Sequence, residues 1–101
     1  MSGEKYEVGF PSPRAEKEFF KILSKASKKE KERILEWFDR LRDTPRPPGK
    51  SFRYLKGEVA IFQLLAHCRI REGNWRILYD IDDSKKRVIL LALRRRSHAY
   101  D

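Results

Sequence analysis

The chain has 101 residues, with 24 Lys plus Arg against 15 Asp plus Glu and a formal net charge of +9. That length predicts one domain with a single core, and 40% hydrophobic and 12% aromatic residues exclude a disordered basic tail. A single cysteine, Cys68, excludes an internal disulfide framework and a thiolate-based zinc site, and no apolar run nears the ~20 residues of a membrane span.

The chain opens MSGEKYEV, without the apolar stretch of a signal peptide, so a cytoplasmic location is expected. Residues 5–10 predict a short first strand, broken by Pro11 and Pro13. Ser12 followed by Pro13 is a helix start, a capping hydroxyl before a proline in the first turn. Ala15, Phe19, Phe20, Ile22, Leu23 and Ala26 form one broad stripe and predict a helix over 13–26. Ser27 with Glu30 reads as a capping box opening a second helix, with Ile34, Leu35, Phe38 and Leu41 on its stripe and Trp37 at the margin. The short junction favours an antiparallel two-helix hairpin, which ends at Thr44-Pro45-Arg46-Pro47-Pro48-Gly49.

After Gly49 the hydrophobic period changes from 3.6 to 2. Residues 52–56 suggest a brief strand, and 59–72 read as one long strand. Its apolar face is Ala60, Phe62, Leu64, Ala66, Cys68 and Ile70, expected to pack on the helices. Its other face carries Ile61, Gln63, Leu65, His67, Arg69 and Arg71. Glu72-Gly73-Asn74 predicts a tight hairpin, Trp75 to Ile81 a returning strand, residues 82–85 a turn, and Arg87 to Leu93 the last strand. The expected architecture is α+β: an N-terminal strand and a helical hairpin packed on a three- to four-stranded antiparallel sheet.

The positive excess points to a polyanionic partner, and the strands say where its informative part lies. His67, Arg69 and Arg71 stand two residues apart, about 6–7 Å along a strand, with Arg76 across the hairpin. The tail adds Arg94, Arg95, Arg96, His98 and Tyr100, while Lys50, Arg53 and Lys56 add cations before the long strand. Arginine grips phosphate oxygens with a planar fork and stays charged; histidine exchanges a proton near neutrality. This combination suits RNA binding, or metal-free cleavage in which a 2′-hydroxyl attacks the neighbouring phosphate. Asp80, Asp82 and Asp83 read as turn formers rather than metal ligands, Trp75 as a sheet-packing residue and Cys68 as inert core.

Four segments carry a resemblance: Ala15-Glu16-Lys17-Glu18-Phe19; Leu55-Lys56-Gly57; Arg69-Ile70-Arg71-Glu72-Gly73-Asn74-Trp75-Arg76-Ile77-Leu78-Tyr79; and Arg94-Arg95-Arg96-Ser97-His98-Ala99-Tyr100. In that order and spacing the sequence resembles the RelE/ParE superfamily of small toxins from type II toxin–antitoxin pairs. The resemblance implies a RelE-like α+β fold, no cofactor or metal, and a cognate antitoxin as partner. The RelE branch further implies an endoribonuclease that cleaves mRNA on the ribosome. Carried over, Arg69 and Arg76 would stabilise the phosphate, and Arg96 (or Arg94 or Arg95, as gaps are placed) the leaving side. Tyr100 would act as base or stacking platform, and His67 or His98 would transfer a proton. Arg71, Arg94, Arg95, Lys50, Arg53 and Lys56 complete the RNA-binding set. The stretch from Gly57 to Arg76 is longer than in familiar RelE members, and histidine and arginine replace their active-site lysines. The ParE branch, which acts on DNA gyrase, and a non-catalytic RNA-binding module are the alternatives.

Overall fold

In the computed structural model, which describes residues 5–61 and 63–95, both helices start where the caps predict. Ser12 Oγ accepts the Ala15 N–H at 3.1 Å, and Pro13 sits in the first turn of α1 (Pro13–Leu23). At α2 (Lys28–Asp43) Ser27 Oγ accepts the Glu30 N–H at 3.2 Å while Glu30 Oε1 accepts the Ser27 N–H at 2.8 Å. Each such cap satisfies helix-end donors and is worth about 1 kcal/mol. The same Ser27 N–H, first among its causes, lowers the Glu30 pKa. α1 ends before the predicted Ala26, which lies buried in the four-residue link.

Two residues of α2 exchange their expected places. Leu35 is 42% exposed, whereas Trp37 is buried. The indole N–H of Trp37 donates to Glu72 Oε1 at 2.8 Å, and the Arg40 guanidinium lies 3.7 Å from its ring centroid. Glu72 thus supplies an acceptor from the sheet for the buried Trp37 N–H.

Among the described residues the sheet has five strands: β1 (Glu7–Gly9), β2 (Phe52–Ile61), β3 (Leu64–Glu72), β4 (Trp75–Asp82) and β5 (Arg87–Arg95), in the order β1-β5-β4-β3-β2. The antiparallel meander of the last four is the predicted one. β1 adds a fifth strand, parallel to β5, with Val8 opposite Val88. The sheet is therefore mixed and one strand wider than expected, because β1 pairs with the strand farthest from it in sequence.

The stretch 59–72, expected as one strand, is a hairpin. The chain reverses beside Gln63, whose φ is +69, and Ile61 pairs with Leu64. A nearly continuous apolar run through the turn hid it, since no Gly, Asn or Pro marks the place. The Gly73-Asn74 hairpin is as predicted, with Gly73 at φ +59, a left-handed conformation that suits glycine.

The main core lies between the helices and one face of the sheet. Phe19, Leu23, Ile34, Trp37 and Leu41 meet Cys68, Ile70, Trp75, Ile77, Tyr79, Leu90 and Leu93. Phe19 and Phe38 stand edge to face, 5.8 Å between centroids, where the two helices meet. Burying each large apolar side chain contributes roughly 1.5–3 kcal/mol. The Tyr79 hydroxyl donates to the Pro45 carbonyl at 2.8 Å and pins the proline loop to the sheet. Burial raises its pKa, and pushes the Cys68 thiol up to about 12, consistent with an inert core cysteine. Of the expected apolar face, Cys68 and Ile70 pack beneath the helices, but Ala60 and Leu64 are exposed. Ala66 joins a second cluster with Ile61, Leu78 and Leu91. The β3–β4 ladder stops at Cys68, and β2 is irregular between Tyr54 and Val59. The outer half of the β2–β3 hairpin thus forms an arm that packs against the sheet rather than the helices. Among the described residues no helix is long and apolar enough to cross a membrane.

Candidate nucleic-acid interface on the open sheet face

The face of the sheet away from the helices gathers the arginines by register. Arg71 on β3 stands opposite Arg76 on β4, and Arg76 opposite Arg94 on β5. These three form a row across three strands. The next row along places Arg53 on β2 opposite Arg69 on β3. Side chains paired this way are about 5 Å apart at Cβ, and like charges so placed are destabilising. Among the described residues no carboxylate forms an ion pair with Arg53, Arg71 or Arg94.

The members of these rows differ in access. Arg76 is 1% exposed and Arg69 6%, whereas Arg53 is exposed and Arg71 and Arg94 are half-buried. Arg69 Nη1 donates to the Ser51 carbonyl at 3.0 Å, which fixes its head. Its pKa is lowered by burial first and then by the charges of Arg71 and Arg53, a direct sign of crowded positive charge; arginine nonetheless stays protonated. Arg76 and Arg69 form a sunken positive floor, and Arg53, Arg71 and Arg94 are the groups within reach of an anion. The sequence reading gave the phosphate to Arg69 and Arg76 and general RNA contact to Arg53, Arg71 and Arg94, without a sign that the first two would be the buried ones.

Arg95 separates from this group. The Leu78–Ala92 and Tyr79–Leu90 pairs leave Leu91 as an extra residue in β5, and beyond this bulge Trp75 pairs with Arg95. The Arg95 guanidinium stands 5.2 Å from the Trp75 ring centroid, on the helix side. Trp75 itself is buried, so it packs the sheet as expected. Lys50 and Lys56 are exposed, the first in the loop before β2 and the second within it. Arg96, His98 and Tyr100 lie outside the described residues.

His67 is on the open face, and the structure gives it a partner that sequence reasoning missed. Its Nδ1 lies 3.1 Å from Asp80 Oδ1. The signal was available: counting back from the Glu72–Trp75 pair of the hairpin sets His67 opposite Asp80. The other two acids of that cluster do separate work. Asp82 accepts the Ser84 hydroxyl at 2.7 Å and the Lys85 N–H at 3.1 Å, holding the β4–β5 turn. Asp83 accepts Arg46 through both oxygens, at 3.2 and 2.8 Å, and the Tyr6 hydroxyl at 2.6 Å. Arg46 and Tyr6 hold the Asp83 carboxyl down at about 2. No group of three or more His, Cys, Asp or Glu residues suited to a metal occurs among the described residues.

A groove of about 470 Å³ runs between α1, β5 and the tip of the arm, with Arg14, Ile22, Ile61, Ala92 and Arg94 among its lining. Chemically, the face offers fixed cations for a phosphate, an oriented imidazole beside them and an apolar groove at one end.

A family model described as the ParE toxin of the type II toxin–antitoxin system parDE matches residues 10–100. Among solved structures, the chain is similar to one from the archaeal RelE–RelB complex of Pyrococcus horikoshii OT3, with 27% identity and a TM-score of 0.71, covering 95% of this chain and 100% of that one. It is similar in fold to a chain of the RelBE2 toxin–antitoxin complex of Mycobacterium tuberculosis, with 22% identity, a TM-score of 0.66 and coverage of 96% and 99%. The E. coli toxin RelE, solved in the free state as a double arginine-to-alanine mutant, shares the fold at 18% identity, with a TM-score of 0.56 and coverage of 91% and 84%. No curated protein matches the sequence.

Proposed function

The chain belongs to the ParE toxin family of type II toxin–antitoxin systems, and within that family we propose that it follows the RelE branch and cuts messenger RNA on the ribosome without a metal. The observation that carries this reading is the row Arg71–Arg76–Arg94, three like charges set opposite one another on the open face of the sheet. Within it Arg71 and Arg94 form no ion pair with a described carboxylate, and a phosphate chain is the ligand that would neutralise them. Arg71 and Arg94 grip the phosphate directly. Arg76 and Arg69 support it from below through the low-dielectric floor, where a fixed cation acts most strongly on developing charge. Arg53, Lys50 and Lys56 extend the contact along the strand, whereas Arg95, over Trp75 on the helix side, takes no part in it. The tail residues Arg96, His98 and Tyr100 keep the roles their motif implies, at the leaving oxygen and the flanking base.

The body is small, with a radius of gyration of 12.8 Å, and its cationic surface is an open sheet rather than an enclosing pocket. The ribosome would therefore supply much of the substrate positioning. The partner that restrains the toxin is a cognate antitoxin, as the RelE–RelB and RelBE2 complexes suggest. Phe20, Leu35, Tyr54, Leu64 and Leu65 leave large apolar surface for it to cover. All of this takes place in the cytoplasm.

The test is primer extension on a message under translation, with and without ribosomes. Wild type cuts only with ribosomes, and Arg71→Ala and Arg94→Ala each lower cutting by about 100-fold. An uncut message would overturn the reading. The match to a ParE model favours one competitor, inhibition of DNA gyrase. Loss of supercoiling with intact mRNA would establish that competitor instead.

A further inference from the structure

We propose that Asp80 is a positioning residue that holds His67 as its Nδ1–H form, leaving Nε2 as the proton acceptor for cleavage. This rests on the ribonuclease reading and names the base within it.

The geometry starts with the carboxylate. Asp80 Oδ1 accepts the N–H of its neighbour Ile81 at 2.9 Å, so the oxygen is anchored to its own strand. The same oxygen lies 3.1 Å from His67 Nδ1. A carboxylate oxygen only accepts, so the hydrogen between them belongs to Nδ1. The neutral ring then carries its lone pair on Nε2, at the far side from Asp80. The imidazole is half-exposed, with side-chain exposures of 51% for His67 and 35% for Asp80. An exposed pair of this kind contributes little to stability. Asp82 and Asp83 shape and brace the β4–β5 turn, whereas among the described residues Asp80 meets only the Ile81 N–H and His67.

The surroundings fit a base placed beside a phosphate site. Arg69 lies two residues along β3 on the same face, about 6–7 Å away along the strand. Residues 55–58 of β2, including Lys56, run opposite, and Ile89 of β5 pairs with Asp80. In the step itself, His67 Nε2 takes the proton of the 2′-hydroxyl as its oxygen bonds to phosphorus. The bond from phosphorus to the 5′-oxygen breaks, that oxygen keeps the electron pair and takes a proton from solvent, and the 2′,3′-cyclic phosphate remains. The imidazolium then returns its proton to water.

The experiment combines ¹⁵N spectra of the imidazoles in the full-length chain with single-turnover cutting on ribosomes, for wild type, Asp80→Asn and His67→Gln. We expect Nδ1–H in wild-type His67 and a shift toward Nε2–H in Asp80→Asn. His67→Gln should lower kcat by about 10²–10⁴-fold, the span of general-base catalysis, and Asp80→Asn by at least about tenfold, with KM unchanged in both. Asp80→Glu should recover part of the loss, and melting curves should match wild type throughout. Nε2–H in the wild type, or wild-type cutting by Asp80→Asn, overturns the proposal. If wild type cuts nothing at all, the ribonuclease reading fails first and takes the base with it; if wild type cuts and the dyad variants do too, only the dyad fails.

Discussion

The two faces of the sheet are built on opposite terms. Under the helices, Trp37 bonds Glu72 and Tyr79 bonds the Pro45 carbonyl. On the open face, Arg71, Arg76 and Arg94 stand in one row with like charges opposed. One face lowers the energy of the fold by itself. The other sets arginines opposite one another, an arrangement that an anion would favour. Residues of similar burial therefore sit in different company on the two sides: a buried Trp75 packs in the apolar core, whereas a buried Arg76 stands between Arg71 and Arg94.

Substitutions separate the faces. The largest effect is expected beneath the helices, where Phe19→Ala empties a fully buried ring site in contact with Phe10 and Phe38. Denaturant unfolding should show a loss of about 3–5 kcal/mol. Trp37→Phe removes the N–H from Glu72 and should cost about 1–3 kcal/mol in the same assay. Ser27→Ala breaks the capping box and should cost about 1 kcal/mol. The smallest effect concerns acid. Asp83 is held near 2 in the folded state, below its ordinary value near 4, so it binds protons more readily when unfolded. Its contribution is complete above pH about 4 and fades as pH falls toward about 2. Melting temperatures of wild type and Asp83→Asn should therefore differ at pH 6 and converge near pH 2.

Much of this contrast was legible in the residues. Ser12-Pro13, the Ser27–Glu30 box and Gly73-Asn74 each carry their own local chemistry, and each element begins or turns there as expected. What was hidden depends on distant partners. β1 could not announce that it would lie beside β5. The reversal beside Gln63 lacks the glycine or asparagine that usually marks a left-handed residue. Trp37 turns inward because Glu72, 35 positions away, accepts its N–H. At the site, alternation alone set Arg69 and Arg71 on one face, but the bulge at Leu91 sent Arg95 to the other. Burial of Arg69 and Arg76 is a property of the assembled sheet, and the His67–Asp80 pair needed the hairpin register as well as the residues.

The central claim is that the arginine row serves an anionic ligand at the expense of the fold. Arg71→Ala tests it most directly, because that change leaves the Arg71 backbone N–H on the Ser51 carbonyl at 2.8 Å and removes only the charged side chain. Unfolding free energy and ribosomal cutting rate should be measured on the same preparation. We expect stability equal to or above wild type and cutting reduced about 100-fold. A variant that loses stability while cutting at the wild-type rate would contradict the claim.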